Sequence, residues 1–251
     1  MSFEGKVAFI TGASMPKGIG RTTALTLARM GADVAVSGFN HLEGAQAVAN
    51  EIKAMGRKAF AVKMDGRNDP EVKTAFDAIK KELGPVSILV NNAALMGHNI
   101  SINKTTTEEW DNEVKICLNS AFYCIKAAWA DMCANKYGRI INMTSVAGML
   151  GGAGQTSYGG AKAGLIALAK STALEGAKFG ITANCVCIGI CATDGYDLLP
   201  QPVREKVEKK TAIGRPSTPQ EIADAVAFAA SSDYMTGAVM NMMGGLDLFV
   251  F

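Results

Sequence analysis

Residues 140–162 have the sequence IINMTSVAGMLGGAGQTSYGGAK, which contains the pattern of a strand, a loop and the start of a helix. Ile140–Met143 is an apolar run typical of a buried strand, and Thr144 and Ser145 follow it at its C-terminal end. A loop rich in small residues then leads to a helix that we expect to begin near Tyr158. The stretch therefore predicts a strand–loop–helix unit in which Ser145 lies where a parallel sheet has its ligand crevice.

Tyr158 and Lys162 are four residues apart, so their side chains share one face of the predicted helix. A phenol beside a fixed ammonium can donate and accept a proton, because the positive charge favours the phenolate. The hydroxyl of Ser145 can polarise a substrate oxygen. Together these groups indicate acid–base chemistry on an alcohol or ketone. Alone, this spacing more often marks a helix surface, so the functional interpretation depends on a second motif.

The second motif is a glycine-rich loop, TGASMPKGIG, at residues 11–20. Glycines let a backbone approach a pyrophosphate, and a helix N-terminus offers free N–H groups and the positive end of its dipole. The common dinucleotide spacing is Gly-x-Gly-x-x-Gly, whereas here five residues separate Gly12 from Gly18 and one separates Gly18 from Gly20. Because the loop follows a predicted strand and precedes a predicted helix, it still indicates nucleotide binding.

Strands alternate with helices along the whole chain. The predicted strands are Lys6–Thr11, Asp33–Ser37, Lys58–Lys63, Val86–Asn91, Arg139–Met143, Thr182–Ile188 and Gly237–Met243. The predicted helices are Gly18–Met30, His41–Met55, Asp69–Leu83, Thr106–Tyr137, Tyr158–Phe179 and Thr218–Ser231. This alternation predicts a doubly wound α/β fold: one domain, residues 1–251, with a seven-stranded parallel sheet and helices on both faces.

Capping residues mark four of the predicted helix starts. Asn40 is the expected N-cap of the second helix, and Asp69, followed by Pro70, is the expected N-cap of the third. Capping boxes, a threonine followed three residues later by a glutamate, open the helices at Thr106 and Thr218.

The composition argues against several classes of protein. Of the 251 residues 49% are hydrophobic and 19% are charged, which is enough apolar material for a large core. A net charge of +2, without blocks of like charge, argues against a nucleic-acid or membrane-surface partner. No apolar run approaches the ~20 residues of a spanning helix, and Glu4 and Lys6 lie where a signal peptide needs apolar residues. We expect a cytoplasmic protein with a small-molecule substrate.

The six cysteines and two histidines do not favour a metal site. The spacing of Cys185, Cys187 and Cys191 is compatible with a metal clamp. However, Cys185 and Cys187 lie within a predicted strand, and no two cysteines form a C-x-x-C pair. Core packing is therefore the favoured interpretation, with no bound metal and reduced thiols.

The loop and the Ser145, Tyr158 and Lys162 set together resemble the short-chain dehydrogenase/reductase family, and the resemblance covers essentially the whole chain. The sequence is similar to the single-domain branch that includes 3-oxoacyl-carrier-protein reductases and related alcohol dehydrogenases. Further stretches resemble family motifs in the same order: Asp65, Asn91–Ala94, Asn119, Ile188–Thr193 and Gly214–Ala223.

This resemblance implies a Rossmann fold and hydride transfer between a nicotinamide and a secondary alcohol or ketone. It implies that Tyr158 exchanges the proton of the substrate oxygen while Ser145 orients that oxygen. Lys162 would hold the ribose hydroxyls, and Asn119 would hold a water linking Lys162 to solvent. The implied cofactor contacts are Gly12, Ser14, Lys17, Gly18, Ile19, Gly20, Phe39, Asn40, Asp65, Gly66, Asn92, Ala93, Tyr158, Lys162, Gly189, Cys191 and Thr193.

Some positions depart from the family pattern. Met15 and Pro16 are two extra residues in the phosphate loop. Enoyl reductases of the same superfamily also have altered loops, but their tyrosine and lysine are further apart, so the spacing here favours carbonyl chemistry. Ala94, Ile188 and Met243 replace a glycine, a proline and a polar residue, and none of these changes affects the proton-transfer set.

Charge near the second strand predicts NADP(H) rather than NAD(H). An NAD enzyme places a carboxylate after this strand to hold the ribose 2′-hydroxyl, and residues 37–41 contain no acid. Lys17 matches a basic residue that many NADP-using relatives place against the 2′-phosphate, and Asn40 and His41 can add donors. The alternative is that Lys17 is a solvated loop lysine displaced by the insertion.

The substrate is predicted less sharply. Its contacts are expected to be Ser145, Tyr158, Met96, Met149, Ile190 and Leu198. This largely apolar, methionine-rich set favours a small, cyclic or otherwise apolar alcohol or ketone. A 3-oxoacyl thioester of fatty acid synthesis is the alternative, disfavoured because the end of the long helix offers only Lys136 as a basic docking residue. A non-catalytic nucleotide-binding regulator is the alternative from another class.

The resemblance further implies a homotetramer or homodimer, with residues 246–251 at a contact.

Overall fold

The computed structural model describes residues 2–95 and 99–248, and the seven strands in this part of the chain form one parallel sheet. The strand order is β3-β2-β1-β4-β5-β6-β7, which confirms the predicted α/β class and Rossmann-like topology. The strands are β1 Val7–Ile10, β2 Asp33–Gly38, β3 Ala59–Lys63, β4 Ile88–Asn91, β5 Gly138–Ser145, β6 Ile181–Ile188 and β7 Val239–Met242. The order reverses between β1 and β4, so the crevice of such a sheet opens beyond the carboxyl ends of these two strands.

Helices cover both faces of the sheet. They are α1 Ile19–Arg29, α2 Leu42–Ala54, α3 Asp69–Glu82, α4 Thr107–Val114, α5 Ser120–Ala134, α6 Val146–Leu150, α7 Thr156–Gly176, α8 Asp194–Asp197, α9 Gln201–Glu208 and α10 Pro219–Ser231. Each face of the sheet has its own hydrophobic core, and alternate residues of β1 point into one core or the other, as the two-residue period of a strand requires. Ala8 and Ile10 pack with α1, α2 and α10, whereas Val7 and Phe9 pack with α3 and α5. Phe9 meets Phe76 of α3 edge to face, with ring centroids 5.2 Å apart.

The helix starts differ from prediction at two places. Asn68, not Asp69, caps α3: its side chain accepts a hydrogen bond from the Glu71 N–H. Asp69 and Pro70 are therefore the first helical residues, and Asp69 pairs with Lys126 at 3.3 Å. At α2 the N-cap is His41 rather than Asn40, without a side-chain cap. Both predicted capping boxes are confirmed, at α4 and α10.

The predicted long helix from Thr106 to Tyr137 is interrupted. Lys115–Asn119 forms a single π-helical turn between α4 and α5. The hydroxyl of Ser120 donates to the Ile116 carbonyl oxygen at 2.6 Å, a local bond that bends helices. The turn packs on α7, where Gly164 leaves room for Leu118. A hydrophobic pattern does not distinguish a π turn from an α turn, which is why the prediction was wrong here.

Several other boundaries moved. β5 extends to Ser145 instead of ending at Met143, and α7 begins at Thr156, two residues before Tyr158. The short helix α6 and the pair α8 and α9 were not predicted. Cys185 and Cys187 lie fully buried in β6, which confirms the core-packing prediction for them. In the part of the chain that the structure describes, no helix has the length and apolarity needed to cross a bilayer.

Candidate active site

A cleft of about 1070 Å³ opens beyond the carboxyl ends of β5 and β6. It is bounded by the loop around α6, the start of α7, and the segment that follows α9. Ser145 and Tyr158 both line it, together with Ile190. The described lining residues are completed by Asn99, Val146, Leu150, Gly151, Gln155, Gly189, Val207, Lys209, Lys210, Thr211, Ala212, Leu246 and Leu248.

Ser145 is the last residue of β5 and the N-cap of α6. Its hydroxyl oxygen accepts a hydrogen bond from the Ala147 N–H at 3.2 Å, which fixes its rotamer. A hydroxyl that accepts from a backbone N–H keeps its own proton for another acceptor. Ser145 is therefore buried, held in place and able to donate into the cleft.

Tyr158 and Lys162 lie one turn apart on α7, as predicted. The ammonium of Lys162 is 5.6 Å from the centre of the Tyr158 ring and is almost fully buried. It donates to the carbonyl oxygen of Met143 at 2.7 Å. An ammonium has three donors, so a ligand in the crevice can take the others. The Thr144 hydroxyl donates to the Lys162 carbonyl at 2.6 Å, which binds α7 to the end of β5.

Asn119 is the last residue of the π-helical turn and is half-buried. Its side chain makes no hydrogen bond to another described residue, which leaves the amide available to a ligand or water. Single π turns occur often at functional sites, because they re-aim one side chain within a helix. Asn119, a predicted catalytic residue, thus lies in a π-helical turn that packs against α7, the helix of Tyr158 and Lys162.

The phosphate loop is built against β4. Gly12 has φ +66°, and a Cβ there would lie 2.9 Å from the Ala93 Cα. A Cβ on Gly20 would lie 2.6 Å from Asn92 Nδ2, which donates to the carbonyl oxygens of Thr11 and Gly12. The predicted residues Gly12, Gly20, Asn92 and Ala93 therefore meet at the strand-order reversal.

The start of α1 fits a pyrophosphate. Gly18 is its N-cap without a side-chain cap, and its first turn, beginning at Ile19, contains no acid. The N–H groups of this turn are free for an anion. The Met15–Pro16 insertion forms a turn in which the Gly18 N–H donates to the Met15 carbonyl at 3.0 Å. The carbonyl of Ser14 contacts Gly44 of α2, so the loop is also packed from outside.

Lys17 does not lie free in front of the loop. Its ammonium pairs with Asp197 of α8 at 2.5 Å, and its backbone N–H donates to Asp194 at 2.9 Å. The hydrogen bond and charge of Asp197 raise the pKa of Lys17. Both side chains are largely exposed, so the pair contributes little to stability and is open to competition from a more highly charged anion. The sequence missed this pair because it joins residues 180 positions apart.

At the ends of β2 and β3, Phe39 and Asn40 are exposed, and the Arg67 guanidinium lies 5.4 Å from the Phe39 ring centre. Asp65 holds Arg67 through both carboxylate oxygens, and these bonds lower the pKa of Asp65. A Cβ on Gly66 would lie 2.9 Å from the Ser120 Cβ, so packing alone requires this glycine. Arg67 was missed by the sequence prediction, although a cation two residues after Asp65 was a visible signal.

Beyond β6, Gly189 lines the cleft and packs on the backbone of Met243. The backbone of Cys191 forms an isolated parallel β-bridge with Ser217. Burial raises the pKa of the Cys191 thiol to about 11. The Thr193 N–H donates to the Cys191 carbonyl, and the Thr193 carbonyl accepts from the first turn of α8. These three predicted cofactor contacts therefore lie in one hydrogen-bonded segment after β6, and Gly189 lines the cleft with Ser145.

Three of the six predicted substrate contacts line the cleft. Ser145, Tyr158 and Ile190 line the cleft, but Met149 and Leu198 are not among its lining residues. Leu198 is 84% exposed on the outside of the segment after α8. Met96 lies outside the described residues. Met149 on α6 is 42% exposed, and the described lining contains Lys209 and Lys210 but neither Met149 nor Leu198. A substrate contact at these two positions stays a prediction.

Comparisons with known proteins agree with this geometry. A family model described as enoyl-(acyl carrier protein) reductase matches residues 12–247. The 3-oxoacyl-acyl-carrier-protein reductase FabG of Escherichia coli strain K12 is 39% identical over 248 residues, covering 98% of this chain and 99% of the relative. The enzyme of the same name from Staphylococcus aureus strain N315 is 38% identical, covering 96% and 98%.

A solved structure supports the same conclusion. The crystal structure of a putative gluconate dehydrogenase from Agrobacterium tumefaciens superposes with a TM-score of 0.93 at 29% identity, covering 99% of this chain and 98% of that one. The family model, the relatives and the fold agree over nearly all of the chain. The chain therefore belongs to the short-chain dehydrogenase/reductase family, oxidoreductases that act on CH–OH groups with NAD(P).

Proposed function

We propose that this protein is an NADP(H)-dependent reductase that interconverts a 3-oxoacyl thioester and the corresponding 3-hydroxyacyl thioester. The observation that carries the proposal is the arrangement of Ser145 and Tyr158 in one cleft, with the buried ammonium of Lys162 behind Tyr158. These groups supply two hydroxyls and one fixed positive charge around the position of a substrate oxygen.

In the reducing direction, the hydroxyls of Ser145 and Tyr158 donate hydrogen bonds to the ketone oxygen and polarise its carbonyl group. When bound, NADPH would supply the hydride for the carbonyl carbon, and NADP⁺ would accept it in the reverse direction. Tyr158 gives its proton to the developing alkoxide, which becomes the secondary alcohol. The positive charge of Lys162 stabilises the tyrosinate left behind, until Tyr158 takes a proton from solvent. Asn119, in the π turn against α7, is proposed to position a water on that path.

The cofactor preference rests on charge. No carboxylate follows β2, where an NAD enzyme holds the ribose 2′-hydroxyl, and the residues there are Gly38, Phe39 and Asn40. The Arg67 guanidinium lies beside Phe39, and Lys17 lies in the phosphate loop with its ammonium on Asp197. Because the Lys17–Asp197 pair is exposed, a 2′-phosphate can replace Asp197 as the partner of Lys17. These features support NADP(H) over NAD(H).

The thioester is favoured over a small cyclic or otherwise apolar ketone. Two relatives that match over nearly the whole chain are named as 3-oxoacyl-acyl-carrier-protein reductases. The cleft is large, and it contains lysines in place of the methionines expected from sequence. One observation keeps the apolar ketone as a second candidate: Val207, Ala212, Leu246 and Leu248 form an apolar portion of the same lining.

The assembly and location are also proposed. Residues 1–251 act as one nucleotide-binding domain, because all seven strands of the described residues share one sheet. The outer faces of α5 and α7 expose Phe122 and Leu174, which supports a homodimer or homotetramer formed through these helices. All six cysteines are free thiols, which supports a reducing, cytoplasmic location. Light scattering after gel filtration tests the assembly.

A substrate panel tests the function. Acetoacetyl-CoA and cyclohexanone are each offered with NADPH and with NADH, and absorbance at the nicotinamide band is followed. We expect the highest kcat/KM for acetoacetyl-CoA with NADPH. A higher kcat/KM for cyclohexanone than for acetoacetyl-CoA would indicate that the substrate is an apolar ketone and not a thioester. Binding of NADPH without turnover of any ketone or alcohol would instead indicate a non-catalytic regulator.

A further inference from the structure

Two adjacent lysines are the only charged residues among the described residues that line the cleft. Lys209 and Lys210 border it just after α9, in the same lining as Ser145 and Tyr158. No aspartate or glutamate belongs to that described lining. The charged side chains of this described lining are therefore all positive, although the whole chain has a net charge of only +2.

The backbone that carries these lysines is firmly held. The Lys209 N–H donates to the Glu205 carbonyl, and the Lys210 N–H donates to the Val207 carbonyl, both at 3.1 Å. The next residue, Thr211, is buried, and its hydroxyl donates to the Glu208 carbonyl at 2.8 Å. The lysines therefore extend from the fixed end of a helix.

Neighbouring carboxylates accept hydrogen bonds from groups other than these two lysines. Glu208 accepts a hydrogen bond from the Tyr196 hydroxyl, and Glu205 accepts one from Gln201 at 3.0 Å. Asp247, between two lining leucines, accepts a hydrogen bond from Asn241 at 3.2 Å. Within the described residues, neither Lys209 nor Lys210 forms an ion pair. Their charges therefore remain for a ligand.

We propose that Lys209 and Lys210 form an anion subsite that binds a phosphate or carboxylate carried by the substrate. This inference rests on the proposed function, because it concerns the distal part of a substrate whose ketone lies at Ser145 and Tyr158. Two ammonium groups attract either anion as point charges, and together they increase the concentration of anionic substrates at the cleft. The lysines do not touch the reacting atoms, so they act on KM and substrate choice and not on proton transfer.

The test compares substrates that share a reacting ketone and differ in charge. Acetoacetyl-CoA carries phosphates, and acetoacetyl-N-acetylcysteamine is its neutral thioester counterpart. Acetoacetate carries a carboxylate, and ethyl acetoacetate is its neutral ester. Each is assayed with the native enzyme, with the double variant Lys209→Gln/Lys210→Gln, and with Lys206→Gln. Lys206 is the matched control, because it lies on α9, is exposed and does not line the cleft.

In the double variant we expect kcat/KM for the preferred anionic substrate to fall about tenfold, mainly through KM, with the neutral partner nearly unchanged. For the native enzyme, the ratio of kcat/KM for the anionic substrate to kcat/KM for its neutral partner should decrease as the salt concentration rises from about 0.05 to 0.5 M. The pair with the larger loss identifies phosphate or carboxylate as the anion. Equal effects on charged and neutral partners, or an equal loss in Lys206→Gln, would overturn the subsite. Failure of the native enzyme to reduce either thioester would overturn the proposed function instead.

Discussion

The ammonium of Lys162 donates a hydrogen bond to the carbonyl oxygen of Met143, 2.7 Å away. Met143 lies on β5, two residues before Ser145, and Lys162 lies on α7, four residues after Tyr158. This hydrogen bond, together with that from the Thr144 hydroxyl to the Lys162 carbonyl, connects the strand that carries the serine with the helix that carries the tyrosine. The spacing of the two hydroxyls depends on how closely β5, α6 and α7 pack.

The contact between α6 and α7 should be sensitive to one methyl group. A Cβ on Gly148 would lie 2.7 Å from the Lys162 carbonyl carbon and 2.8 Å from the Ala163 nitrogen, both backbone atoms that cannot turn aside. We expect Gly148→Ala to lower the free energy of unfolding by about 1–3 kcal/mol, the usual cost of overpacking. It should also lower kcat, because α6 and Ser145 move relative to Tyr158.

Gly160→Ala is the matched control for that change. Gly160 lies on the exposed side of α7, where a Cβ would meet only Trp110 at an ordinary 3.4 Å. The substitution should raise the free energy of unfolding by about 0.5–1 kcal/mol, as alanine does in an exposed helix. Urea unfolding and initial rates of both variants check the pair. Equal stability of the two variants would contradict the close α6–α7 contact.

Cofactor preference should follow the partner of Lys17. Lys17→Ala is expected to raise the Kd of NADPH about tenfold and leave the Kd of NADH unchanged, because only NADPH has a 2′-phosphate. Asp197→Asn should have the opposite effect on NADPH, since it removes the competing carboxylate from Lys17. Fluorescence titration of each variant with both cofactors measures these constants. If NADH binds tighter than NADPH and neither substitution matters, the charge argument for NADP(H) is wrong.

Buried thiols should be unreactive in the folded protein. Burial raises the pKa of Cys124 and Cys185 from 9.0 to about 12, and the pKa of Cys187 to about 11. Because the thiolate is the nucleophile, we expect these three cysteines to resist alkylation near neutral pH. All six should react once the chain is unfolded, and mass spectrometry after timed alkylation counts them. Rapid labelling of Cys124 in the native protein would contradict its burial.

The same shifts give a pH dependence of stability. In the unfolded chain these thiols ionise near their ordinary value of 9.0, whereas in the folded protein they stay protonated. A raised folded-state pKa of this kind contributes stability that is fully present below the unfolded value and lost as the pH rises towards the folded one. The free energy of unfolding should therefore fall between about pH 9 and pH 12 in native protein, and fall less in Cys185→Ala.

The sequence predicted those parts of the molecule that local chemistry determines. Buried strands in a parallel sheet are apolar on both faces, so the seven strands and their helices could be placed from hydrophobic runs and capping boxes. Ser145, Tyr158 and Lys162 could be brought together because one strand end and one helical turn fix their geometry.

The remaining features depend on contacts between distant residues. The π turn at Lys115–Asn119 arises where a helix packs on α7, and its residues carry no distinctive hydrophobic pattern. The Lys17–Asp197 pair and the place of Lys209 and Lys210 in the lining of the cleft depend on the tertiary placement of residues 194–210, which local sequence patterns do not determine. Met149 and Leu198 were placed at the cleft for their apolar character, whereas both are exposed and neither belongs to its described lining, so a substrate contact there stays a prediction.

The proton-transfer role of Tyr158 is the central claim, and Tyr158→Phe tests it most directly. Phenylalanine keeps the ring beside Lys162 and removes only the hydroxyl, so folding and NADPH binding should be preserved. Steady-state reduction of acetoacetyl-CoA is measured beside the Kd of NADPH. We expect kcat to fall about 10²–10⁴-fold, the contribution of a positioned acid–base group, while the Kd of NADPH stays nearly unchanged. Full turnover by Tyr158→Phe would contradict it.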